Sequence, residues 1–183
     1  MSKIQVDTID TRSGTATMTI GSTNTTTIAL KSGATLTNFP DNTPSFAVKQ
    51  SGDQSIPNAT TTIVTFNTED FDTDSAYNTS SYRFVVPSGA AGKYFFSTRL
   101  YMEWGNTANE LGRLGIYKNG TAEAIFGGLA NGTENQGKSL SINTILDLAV
   151  SDYVDVRMYH NQGGAQSTAA DPDFTYFYGY KLL

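Results

Sequence analysis

A chain of 183 residues is long enough for one full domain with its own core and a short appended element, but not for two complete domains. Its formal charge of -5, from 12 Lys and Arg against 17 Asp and Glu, leaves no basic stripe to follow a phosphate backbone, so the composition argues against a nucleic-acid partner. With no Cys and His160 as the single histidine, disulfides, thiolate metal sites and two-histidine zinc motifs are excluded.

Of ten Phe, ten Tyr and one Trp, only Phe39 falls within the first forty positions. A stretch so poor in large side chains cannot build a core. It is rich in Thr, Gly, Ser and Asn, with alternating pairs Met18/Ile20 and Ile28/Leu30 separated by turn-like GST and KSG. Two readings are open, a low-complexity leader or short strands that fold against partner chains. We take residues 1–43 as an attachment segment of the second kind. No apolar run follows Lys3 and no eighteen apolar residues occur in succession, so neither a signal peptide nor a membrane span is expected. In such a chain the Asn-x-Ser/Thr triplets at Asn24, Asn58, Asn78, Asn119 and Asn131 read as accidents of composition.

From Pro44 onward, alternating apolar runs cut by Gly, Asn, Asp and Pro predict strands over 45–50, 60–66, 81–86, 93–104, 111–118, 122–129, 139–147, 153–160 and 174–182. Helices should be short or absent. Nine strands over 44–183 fit an all-β, two-sheet jelly-roll sandwich.

Between the second and third runs, Asp70, Asp72 and Asp74 alternate as DFDTD. Three oxygen donors at that spacing could open a calcium loop, but Ser75 and Ser81 stand where a helix-loop-helix site needs Gly and Glu. A solvated acidic turn is the simpler account, so no metal and no cofactor is assigned.

Along the run 93–104, Tyr94, Phe96, Leu100, Met102 and Trp104 share one face with Thr98, which should point inward. Phe95, Ser97, Arg99, Tyr101 and Glu103 share the other. A solvent face has little use for Phe95 and Tyr101, whereas protein interfaces favour aromatics and Arg. The last run divides likewise, with Phe174, Tyr176, Tyr178, Tyr180 and Leu182 expected inside and Phe177, Gly179 and Lys181 outside. A loop of the same chain could cover the extra aromatics instead. His160 reads as a rim or loop histidine without the partners that acid–base catalysis requires. No Gly-x-Ser-x-Gly string or paired carboxylates mark a catalytic centre, and no enzyme activity is assigned.

The ordered set Phe66, Asp72, Tyr77, Phe84, Gly92, Tyr94 and Phe96 resembles the signature of the complement subcomponent q globular heads, whose wider relative is the tumour necrosis factor jelly roll. PSFAV at 44–48, LGIYKNG at 114–120, ILDLAVSDYVDV at 145–156 and FYGYKLL at 177–183 resemble further strands and turns of that family. The chain departs from the pattern in a longer turn at 87–92, in Thr98 for an aromatic, and in Ser151 for a glycine. The resemblance implies jelly rolls packed as trimers about a threefold axis and acting as recognition heads. It places Phe95, Arg99, Tyr101, Phe177 and Leu183 at the trimer interface.

MSKIQVDTI, TIGST and LKSGATLTNF resemble the leaders of fibre-like structural proteins of marine tailed bacteriophages. Together the two resemblances imply a non-enzymatic, homotrimeric virion protein, as tail-fibre or capsid-decoration subunit. Residues 1–43 would bind other virion proteins, and loops at 105–110, 130–138 and 161–172 would contact the host or a neighbouring virion protein. The alternative is an adhesin domain that binds a surface glycan through exposed Tyr and Trp.

Overall fold

The computed structural model describes residues 42–102, 110–130, 137–171 and 173–182. Outside them lie the expected attachment segment apart from its last two positions, Trp104, Leu183, and most of the loops expected at 105–110 and 130–138.

The described residues are all β, in thirteen strands: β1 (Ser45–Lys49), β2 (Ser55–Ile56), β3 (Thr62–Ile63), β4 (Thr68–Asp72), β5 (Tyr77–Asn78), β6 (Arg83–Val85), β7 (Gly92–Met102), β8 (Glu110–Lys118), β9 (Thr121–Ala130), β10 (Lys138–Leu148), β11 (Tyr153–His160), β12 (Gln166–Ser167) and β13 (Tyr176–Lys181). One five-stranded sheet runs β10-β7-β13-β1-β4, and a second runs β5-β6-β11-β8-β9 with β3 on β11. All named pairings are antiparallel. The inner faces of the two sheets meet in an aromatic core of Phe46, Phe66, Tyr77, Phe84, Tyr94, Phe96 and Phe177, each at most 4 % exposed. This is the jelly-roll sandwich that the alternation predicts.

The long strands fall where expected and the short ones do not. The expected strand at 60–66 shrinks to β3, because the Gln54 side chain takes the place of a partner strand. Its Nε2 donates to the Ile63 carbonyl at 2.8 Å and its Oε1 accepts from the Thr65 N–H at 2.9 Å. Of the acidic stretch expected to be a turn, Asp70 and Asp72 lie in β4, paired to β1 across a bulge at Ala47/Val48, and only Asp74 lies in the bend that follows. At 81–86 the strand starts late, since Tyr82 has φ 57°, a left-handed backbone that no strand accommodates.

Strand directions sort the connections into two poles. The Lys181 N–H donates to the Pro44 carbonyl at 3.0 Å, so the head's first and last strands meet at one pole, where β7 also begins. At the other pole Met102 pairs with Lys138 and bridges Thr168, and the Asn161 N–H donates to the Leu111 carbonyl. The strand ends that flank the expected binding loops therefore share the pole opposite Pro44.

Candidate functional site

The aromatic residues Phe66, Tyr77, Phe84, Tyr94 and Phe96 of the ordered set are all buried in the core. Phe84 lies 5.2 Å from both Phe46 and Tyr94, and Phe96 lies 5.6 Å from Phe84. Tyr77 donates its hydroxyl to the Phe66 carbonyl at 3.0 Å, and its own N–H donates to Asp72 Oδ2 at 2.8 Å. Burial pushes the Tyr77 hydroxyl far above the ordinary tyrosine range, with Asp155 adding to the effect; burial likewise pushes Tyr94 up to about 12. Neither tyrosine can titrate at physiological pH, so both act as hydrogen-bond donors and ring surfaces.

The outer face of the first sheet is rich in aromatic side chains. Cross-strand register lines up Ile145, Phe95 and Tyr180 in one row, and Ser97, Tyr178, Ala47 and Phe71 in the next. A third row holds Ser141, Arg99, Tyr176 and Lys49. Rings touch along it: Phe95 with Tyr180 at 5.4 Å, Tyr176 with Tyr178 at 5.5 Å, and Tyr101 with Phe174 at 5.9 Å. Arg99 spans the face, its guanidinium 4.8 Å from the Phe174 centroid and its Nη2 donating to Ser139 Oγ at 3.2 Å. Phe71 and Ile145, on the two edge strands of the sheet, remain 51 % and 59 % exposed.

Phe95, Arg99 and Tyr101 lie on this face as the alternation predicts. Phe177 does not. It is wholly buried, with Phe46 at 5.0 Å and Phe66 at 5.9 Å, and Tyr176, Tyr178 and Tyr180 take the outer positions instead. The cause is Gly179, which pairs with Phe96 on the inner face. A Cβ there would lie 2.6 Å from the Phe96 ring, so the position is empty of side chain because it is crowded, not because it is wet. Leu183, the remaining interface residue expected, lies outside the described residues.

The three aspartates do not converge. Asp70 pairs with Lys49, Asp72 accepts the Tyr77 N–H, and Asp74 Oδ2 accepts the Thr73 hydroxyl at 2.7 Å. Among the described residues no group of three His, Asp or Glu side chains could hold a metal ion. His160 is also placed differently from expectation. It is fully buried, its Nε2 2.8 Å from the Ile56 carbonyl and its Nδ1 accepting the Gln162 N–H at 3.3 Å. Its work is to tie β11 to β2.

The KNG string forms the β8–β9 hairpin turn. Asn119 and Gly120 have φ 51° and 84°, as a two-residue type I′ loop requires. The Asn119 Nδ2 donates to Asp152 Oδ1 at 2.7 Å, and Lys118 Nζ lies 3.0 Å from Asp152 Oδ2. Those bonds, with the Ala149 N–H, lower the Asp152 carboxyl to about 2. Ser151 takes the left-handed conformation, φ 70°, although it is not glycine.

Comparison with known proteins agrees with this architecture. The family model described as the C1q domain matches residues 45–182. Among solved structures, the globular domain of zebrafish complement 1qA superposes with a TM-score of 0.51 at 15 % identity, covering 76 % of this chain and 98 % of that one. Murine APRIL gives 0.55 at 14 % identity, covering 75 % and 98 %. The Eiger tumour necrosis factor of S. frugiperda gives 0.51 at 14 % identity, covering 76 % and 90 %. These likenesses speak for the fold alone, and no curated protein matches the chain. The family model spans the head from its first strand to its last, over the same signature residues found in the core, and the chain belongs to the C1q domain family.

Proposed function

We propose that this chain is the subunit of a homotrimeric recognition head that works by surface complementarity rather than catalysis. The observation that carries the proposal is the contiguous aromatic outer face of the first sheet, from Phe71 through Tyr178 and Phe95 to Ile145. Moving a Phe or Tyr from such a face into an interface contributes about 1.5 to 3 kcal/mol, and several together offset the entropy of association. A threefold ring is heterologous, so it needs a second, different patch to receive the first. Ile125 on the edge strand β9, 51 % exposed, offers one.

The setting we propose is a virion, as tail-fibre or capsid-decoration subunit, with residues 1–43 bound to other virion proteins. The similarity of the leader to phage fibre leaders supports it, as does the placement of Pro44 at the pole opposite the loop-bearing strand ends. Light scattering on the full chain should give three chain masses. A monomer at micromolar concentration would overturn the trimer, and normal particle incorporation of a chain lacking residues 1–40 would overturn the attachment role.

A further inference from the structure

The second sheet has an outer face of different chemistry, which the composition of the chain conceals. On β11, Tyr153, Asp155, Arg157 and Tyr159 alternate with the core residues Val154, Val156, Met158 and His160. Register sets Arg83 and Tyr117 on either side of Asp155, Gly115 beside Arg157, and Arg113 beside Tyr159. Guanidinium and ring then alternate in space. Arg83 lies 4.2 Å from the Tyr153 centroid, Arg157 4.6 Å from Tyr117, and Arg113 5.9 Å from Tyr159. The Tyr117 ring lies across Gly115, where a Cβ would come within 2.8 Å of it, so the ladder has a flat floor.

The charges on this face do not cancel. Asp155 is fully buried, and both of its oxygens accept from Arg157, at 2.7 and 3.1 Å. The side chain of Arg83, on the neighbouring strand, makes no ion pair or hydrogen bond among the described residues, and its Nε is buried without an acceptor. An arginine packed over a ring, with its terminal nitrogens uncommitted, is a preorganised receptor for a planar anion.

We propose that this face binds a carboxylate-bearing polysaccharide, with Arg83 as the primary anion contact. Two parallel N–H···O bonds between guanidinium and carboxylate match in geometry, as Arg157 and Asp155 already do one strand away. The tyrosine rings between the arginines present flat apolar surfaces to the C–H-rich faces of sugar rings. From Tyr153 to Tyr159 the ladder extends roughly 20 Å at the usual rise per strand residue, which suits several linked sugars better than a single one. Three arginines in a chain of charge -5 are too few for tight phosphate-backbone binding. The site does not rest on trimer formation, since Arg83 on β6 lies three strands from β9, which carries the second patch of the proposed trimer.

Calorimetric titration of the full chain with alginate oligosaccharides tests the proposal. Binding is expected, with Arg83→Gln at least tenfold weaker at unchanged melting temperature. Arg83→Lys should also be weaker, because it keeps the charge and loses the fork, while Lys138→Gln on the first sheet should bind as wild type. Should Arg83→Gln fail to fold, the exposed Arg113→Gln serves, with a severalfold loss expected. Dextran should not bind, and dextran sulfate and polyphosphate should bind more weakly than alginate. Absence of alginate binding, wild-type affinity in a folded Arg83→Gln, or equal or tighter binding of dextran, dextran sulfate or polyphosphate would each overturn the assignment.

Discussion

At Gly179 the inner face has no room for a side chain: an added Cβ would meet Phe96 Cδ1 at 2.6 Å and the Phe95 carbonyl at 2.9 Å. A ring can turn aside, but a strand carbonyl cannot. Gly179→Ala should therefore cost about 1 to 3 kcal/mol in denaturant unfolding, the range typical of overpacked cores. Asp152 sets a different kind of residue effect. Its carboxyl sits near 2 chiefly through the Asn119 amide, then the Ala149 N–H and Lys118, against an ordinary value of about 3.9. A lowered pKa means that the fold favours the ionised form, so the contribution is complete above about pH 4 and fades as pH falls towards about 2. Wild type should melt above Asp152→Asn at pH 6, and the gap should close by pH 2; a gap independent of pH would contradict the assignment. Because the carboxylate is partly exposed, added salt should narrow the gap further. At this scale the sequence was readable along β7, where every inner residue from Tyr94 to Met102 is large or, at Thr98, bonds the Tyr176 carbonyl. It misled along β13, because tyrosine suits either face and a crowded glycine looks like a solvent-facing one.

The strand β13 separates packing from assembly between adjacent residues. Phe177→Ala opens a cavity among Phe46, Phe66, Tyr77 and Phe96, and should cost about 3 to 5 kcal/mol of stability. Tyr178→Asp changes only the outer face and should keep the melting behaviour of a folded subunit while reducing the mass by light scattering from three chains to one. Equal effects of the two on folding would remove the distinction between the faces. Long elements were legible because an eleven-residue strand such as β7 or β10 repeats its period several times. The two-residue strands β2, β3, β5 and β12 carry no period at all, and their positions depend on side chains distant in sequence. Gln54, which serves β3, and His160, which holds Ile56, are examples. The Arg–Tyr ladder was invisible for a related reason, since Arg83, Arg113 and Arg157 come from three separate strands and only the register unites them.

At the scale of the whole molecule, every member of the aromatic core among the described residues lies between Phe46 and Phe177, and the head is expected to fold alone. A chain lacking residues 1–40 should unfold in one cooperative transition; aggregation of that chain would show that the leader belongs to the core. The pairing of Lys181 with Pro44 has a further consequence for how such a head can travel between proteins. A domain whose two ends emerge side by side occupies one point on any chain that carries it, so it can be spliced into a loop as readily as appended to an end. Residues 44–182 placed within a surface loop of a fluorescent carrier should leave the carrier's fluorescence and the head's own melting transition both intact.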